Sequence, residues 1–217
     1  MFLPYRDDNP RVLIPYVTYT VLGLNCLAFV LQNMGGTQFT TAFAIIPKMA
    51  SVDFGFYIIT LFTSMFLHGG LMHLGGNMLY LWIFADNVEG ILGHTKFAVF
   101  YLTCGVAAGI LQTVIDPMST IPIVGASGAI AGVLGAYMIT FPRARVHTLI
   151  FLFIYFTRIR IPAVYVLGFW FLVQLSSGLA MLGIDTTGGV AWFAHIGGFL
   201  AGIALIRVLK LIRLEMI

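Results

Sequence analysis

Charge is too scarce in this sequence to clothe a water-soluble surface. Asp, Glu, Lys and Arg make up 9% of its 217 residues, where a soluble domain carries about 25%. Hydrophobic residues make up 60%, so lipid must be the solvent for most of the exterior. The length suits one helical bundle and leaves no room for a second domain. Cys26 and Cys104 sit in apolar runs and read as packing or lipid-facing residues, with no bearing on redox compartment. The first apolar run, residues 14–31, exceeds the ~7–15 residues of a signal-peptide core and no small-residue cleavage pattern follows it, so a retained span is expected.

A spanning helix needs about 20 mostly apolar residues. Segments 14–34, 71–88, 97–115, 123–141, 163–182 and 190–209 qualify. The stretches 54–67 and 146–157 are only about 12–14 residues long and are read as re-entrant or interfacial segments packed on the bundle. Lys and Arg collect in short cytoplasmic loops. With the N-terminus inside, Arg6, Arg11, Lys96, Arg143, Arg145, Arg158, Arg160, Arg207, Lys210 and Arg213 fall inside, and only Lys48 falls outside. A crossing by residues 146–157 would part Arg143 and Arg145 from Arg158 and Arg160, whereas six spans keep them together. Asp53, Asp116 and Asp185 then fall in outer loops. The expected fold class is all-α, a polytopic six-helix bundle with cytoplasmic termini. Residues 1–13 form a short cytoplasmic segment, 14–209 the core and 210–217 a cytoplasmic tail. Residues 35–70 far exceed a connector of about 4–6 residues and are expected to lie partly embedded in the outer leaflet.

Polar groups stand in places that lipid penalises. They are Gly125-Ala126-Ser127-Gly128 opening the fourth span, Ala194-His195-Ile196-Gly197-Gly198 in the sixth, and His68-Gly69-Gly70-Leu71-Met72-His73 with Asn77 at the second. Each has a purely structural reading. Ser127 sits among small residues that suit helix packing, and a lone His195, His73 or Asn77 can join helices by hydrogen bonds. Depth favours a shared site. Ser127 lies about four residues into its span, ~6 Å, and His195 about five, ~8 Å, while His73 and Asn77 lie at ~4–12 Å. His73 and Asn77, i and i+4, share a helix face. The glycines Gly198 and Gly202 let the sixth span approach the fourth at Gly128 and Gly132. Ser127 is a weak nucleophile until a base takes its proton, and a neutral His195 is such a base. The Asn77 amide, a His73 N–H and the Ser127 backbone N–H can hold the resulting oxyanion. Asp86 and Glu89 belong to the inner side, so a Ser–His dyad is expected rather than a triad with a carboxylate.

With these motifs in this order, on spans two, four and six, the sequence resembles the rhomboid intramembrane serine proteases through nearly the whole chain after Leu13. The resemblance implies a six-helix fold with a water-filled cavity open to the outside. It implies Ser127 as nucleophile, His195 as base, Asn77 and His73 as oxyanion donors, and Gly125, Ala126 and Gly128 framing the nucleophile's turn. His68 matches a position at the cavity edge. Substrates would be single-span membrane proteins cut near the outer end of an unstable helix, with no metal or organic cofactor. Two departures stand out. Many relatives carry an aromatic residue one turn after the serine, beneath the histidine ring, where this chain has Ala131. Some also carry a Trp-Arg pair in the first outer loop, absent from residues 39–63.

Other classes are weaker. A catalytically inactive rhomboid-like factor that binds or escorts membrane proteins would be marked by loss of the serine or histidine, and both are present. A metalloenzyme or metal transporter built on His68, His73 and His195 would need an H-E-x-x-H motif or a facing carboxylate. A channel or transporter would show midplane helix breaks, buried charge pairs or inverted repeats. The bare six-span core fits a plasma (cell inner) membrane. The fifth span and the outer loop are the candidate moving elements, since neither carries the dyad.

Overall fold

The computed structural model describes residues 2–152, 155–182 and 189–214. Its helices are α1 (Tyr16–Phe43), α2 (Met49–Val52), α3 (Phe54–Thr63), α4 (Leu71–Leu92), α5 (His94–Ile115), α6 (Ser127–Thr140), α7 (Ala163–Ala180) and α8 (Trp192–Leu214), with a 3-10 turn at Ser64–Phe66. By length and composition α1, α5, α7 and α8 can each cross a membrane, and α4 qualifies jointly with the helix before it, from which it is bent by 81°. Leu24, Leu27, Val30, Phe169, Leu172 and Leu200 are all exposed, the inverse of a soluble surface. The chain is a multi-pass membrane protein.

At the centre stands α6. It has 14 residues, about 21 Å at 1.5 Å per residue, short of the ~30 Å hydrocarbon core. Every residue from Gly128 to Tyr137 is buried, as suits a helix apolar on all sides. The glycine stripe makes the contact expected of it. A Cβ on Gly198 would strike the Gly128 carbonyl, and one on Gly202 the Gly132 carbonyl. The α6 and α8 backbones therefore touch, and Ser127 and His195 ride on the touching helices.

Several boundaries differ from expectation. The first helix does not end at residue 34 but runs to Phe43, through a kink at Gly36 (φ 62°, ψ −152°). Much of the 35–70 stretch is thus helical, with Ile45, Tyr57 and Leu61 forming a small core of their own. The fourth span does not start as helix at residue 123. Ile123 instead exchanges backbone hydrogen bonds with Ile45 at 2.8 and 3.1 Å, and Gly125 takes φ 134°, so helix begins only at Ser127. Asp185, and the tail from residue 215, lie outside the described residues.

The all-α expectation fails at the end of the bundle away from Ser127. Strands β1 (Phe2–Asp7), β2 (Arg145–Leu152) and β3 (Tyr155–Pro162) form an antiparallel sheet in the order β1-β2-β3. Residues 2–7 of the N-terminal segment are therefore a strand, and the stretch 146–157 falls largely within β2 and β3. The cause is period-two alternation. Val146 and Thr148 are buried and pair with Ile161 and Ile159, while Arg145, Arg158 and Arg160 are exposed. The hairpin keeps the four arginines together without crossing anything.

Carboxylates fasten this end, Glu89 and Asp86 of them buried. Glu89 accepts from Val17 N (3.0 Å) and from Thr18 N (2.8 Å) at the start of α1, and lies 2.6 Å from His94 Nδ1. Asp86 pairs with Arg11 at 2.8 Å. Asp7 accepts from the Tyr137 hydroxyl and, at 3.1 Å, from Asn87 Nδ2, and Asp8 meets His147 Nε2 at 2.5 Å.

Two outcomes follow. Gly202→Ala should lower unfolding stability in detergent by about 1–3 kcal/mol, whereas Gly168→Ala, which meets nothing within 4 Å, should not; equal midpoints would refute the backbone contact. Burial pushes the Asp7 carboxyl up from 3.8 to about 6. A carboxyl held higher in the folded state stabilises it while protonated, so that contribution is lost as pH rises from about 4 to about 6. Asp7→Asn should remove this fall, which unfolding midpoints measured across that window would show.

Candidate active site

Three helices and one loop deliver the polar groups expected from sequence to one place. Ser127 is the first residue of α6, His195 is in the first turn of α8, and His73 and Asn77 lie in the first two turns of α4. Ser127 Oγ and His195 Nε2 are 2.8 Å apart. Both line a cavity of about 900 Å³, together with His73, Asn77, Tyr80 and Trp170. The start of α6 adds its own chemistry. The first N–H groups of a helix have no partner within it, and the dipole there favours negative charge.

The His73 tautomer is set by the loop before α4. Gly69 N–H donates to His73 Nδ1 at 3.1 Å, so in the neutral ring the proton sits on Nε2. That edge faces Gly125: a side chain there would meet His73 Cε1 at 2.9 Å and Nε2 at 3.0 Å, with Ser127 Oγ at 3.3 Å. Only glycine both takes this φ and leaves the space free. Gly125 N is held by Ser64 O at 3.0 Å, and Ala126, fully buried, precedes the first turn. Asn77 is 8% exposed and its Nδ2 has no hydrogen-bond partner among the described residues. It lines the same cavity as Ser127. His68 is buried beneath, its ring edge-on to His73 at 5.1 Å, with its backbone clamped in both directions by Gln32 of α1.

The position of Ala131 raises the question of what holds the His195 ring. The support comes from α7 and from the start of α8 itself. Trp170 of α7 lies tilted at 38° with centroids 5.8 Å apart, and Trp192 stands perpendicular at 6.4 Å. Gln174, one turn beyond Trp170, places Oε1 2.7 Å from His195 Nδ1. Gln112 Oε1 accepts from Ala194 N at 3.2 Å and steadies the turn before the histidine. The sequence pattern singled out Ser127, the histidines and the Asn77 amide, and not these residues. A polar amide midway along the otherwise apolar fifth span was the available signal. Among the described residues no three His, Cys, Asp or Glu side chains converge as a metal would require.

The fold and this constellation define a class: a multi-pass membrane protein whose helix ends converge a serine, two histidines and an asparagine on one cavity. A family model described as the Rhomboid domain matches residues 55–211. The chain belongs to the rhomboid family. It is 29% identical over 206 residues to "Rhomboid protein 1, mitochondrial" of Saccharomyces cerevisiae, covering 92% of this chain and 54% of that protein. It is 34% identical over 193 residues to "Rhomboid protease GluP" of Bacillus subtilis, covering 88% and 35%. Against the human "Presenilin-associated rhomboid-like protein, mitochondrial" it is 32% identical over 148 residues, covering 64% and 35%. The chain thus spans about a third to a half of these relatives' lengths.

Proposed function

We propose that this chain is an intramembrane serine endopeptidase that cleaves single-span membrane proteins through a Ser127–His195 dyad. The observation that carries the reading is the 2.8 Å approach of Ser127 Oγ to His195 Nε2 at a cavity wall. His195 takes the hydroxyl proton as Ser127 attacks the substrate carbonyl, then passes that proton to the leaving amine. The oxyanion is held by His73 Nε2–H, the Asn77 amide and the Ser127 backbone N–H. Water from the cavity then hydrolyses the acyl-enzyme, with His195 again the base. A relative named as a protease, the Bacillus subtilis GluP, supports the reading, as does the completeness of the dyad against an inactive, client-binding role.

The proposed topology has six spans, α6 among them, with both termini cytoplasmic. The clustering of basic residues at the sheet end supports it, with Lys48 beside Ser119 at the other end. In that orientation the site opens outward and substrates are cut near their outer ends. The proposed membrane is the plasma (cell inner) membrane, and the mitochondrial names of two relatives are the contrary observation.

Detergent-purified protein incubated with a model single-span substrate tests the dyad. Cleavage should resist chelators and vanish in both Ser127→Ala and His195→Ala; cleavage surviving Ser127→Ala ends the proposal. Asn77→Ala should lower kcat by about 10²–10³-fold, the typical cost of one oxyanion donor, with KM little changed. An unaltered kcat would remove Asn77 from that role.

A further inference from the structure

The nitrogen of His195 that does not face the serine is engaged by a residue of another helix. Gln174 of α7 is 6% exposed, and its Oε1 lies 2.7 Å from His195 Nδ1. A neutral imidazole carries a single proton, and an amide oxygen can only accept one in a hydrogen bond. With Oε1 in this place the proton belongs on Nδ1. Nε2 is then left with its lone pair toward Ser127 Oγ, 2.8 Å away. The opposite tautomer would point an N–H at the hydroxyl and leave nothing to receive its proton.

We propose that Gln174 is the positioning residue that holds His195 in the tautomer able to act as base. The proposal rests on the Ser127–His195 reading and adds a third member to it. Two features support it. Among the described residues Asp86 and Glu89 lie at the far end, engaged by Arg11 and by the start of α1, and the partner recorded at His195 Nδ1 is the Gln174 amide. Trp170, i−4 from Gln174 on the same face of α7, lies against the His195 ring. One helix face thus fixes both the plane of the ring and the site of its proton. Because the partner is an amide and not a carboxylate, it selects the tautomer without adding a charge to a site walled by lipid-spanning helices.

The test uses the full chain in detergent micelles, labelled with 15N-histidine, with His195 assigned by its absence in His195→Ala. Wild type should show the Nδ1–H tautomer at His195, and Gln174→Met should shift the ring toward the Nε2–H form. With the single-span substrate, Gln174→Met should lower kcat about 10–100-fold, within what a positioned general base contributes, while KM changes little. Gln174→Glu should restore turnover and move the acidic limb of the kcat/KM profile to higher pH, because a carboxylate stabilises the imidazolium. Unfolding midpoints of both variants separate this from a packing defect, which Gln174→Glu would not relieve. Unchanged ring signals in Gln174→Met, or an unchanged kcat and pH profile, would overturn the proposal. Were wild type to cleave nothing, the protease reading would fall while the tautomer measurement still decided the role of Gln174.

Discussion

The contact of the α6 backbone with the α8 backbone is the constraint on which the site depends. Serine has a short side chain, so its hydroxyl reaches an imidazole on a neighbouring helix only if the main chains nearly touch. Gly198 and Gly202 on α8 and Gly135 on α6 lack the Cβ atoms that would strike the facing backbone, while Gly128 and Gly132 let α6 settle against Ala108 and Cys104 of α5. In lipid there is no hydrophobic drive between such helices, and close packing of small residues takes its place. The same contact explains why α6 is apolar on all faces and short. Surrounded by other helices, it need not match the bilayer thickness, and its late start, after the loop at residues 121–126, sets Ser127 inside the bundle beside the cavity.

Charge is used sparingly, and mostly at the opposite end. Glu89, fully buried, closes the first turn of α1 with its carboxylate, where both the free N–H groups and the dipole favour an anion. Asp7 ties the N-terminal strand to Asn87 of α4 and to Tyr137 at the foot of α6, and Asp86 holds Arg11 in the segment that follows the strand. The helix that carries Ser127 is therefore anchored at its far end by a polar network and lined along its length by glycine contacts. A buried carboxylate without such partners would be costly in this setting, which accounts for the density of hydrogen bonds around each one.

Much of this was legible beforehand, for physical reasons. Scarce charge dictates a membrane solvent, and spans can be counted because lipid demands long apolar helices. The i,i+4 spacing of His73 and Asn77 and the position of Ser127 and His195 near span ends carry depth and face. What escaped had weaker local signals. The alternation Thr157-Arg158-Ile159-Arg160-Ile161 is a strand pattern, but a stretch of about 12 apolar residues in such a chain invites a helical reading. Its partner β1 lies far off in sequence, and strand pairing at that separation has no local mark. The start of α6 was displaced because the bridge of Ile45 to Ile123 is likewise non-local. Gln174 escaped because an amide in an apolar span does not say which helix it faces; only the folded chain brings it to His195.

The place of Gln174 also bears on motion. The fifth span was singled out as a candidate moving element on the ground that it carries none of the dyad. In the structure α7 both walls the cavity through Trp170 and holds His195 through Trp170 and Gln174. An outward displacement of α7 that widened the cavity would carry the amide away from Nδ1. The histidine would then be free to exchange its proton between nitrogens, and the serine would lose its base. On the proposed dyad, the geometry of access and the readiness of Ser127 would be linked: the serine would be unactivated while α7 was displaced and reactive once α7 was again packed on α8.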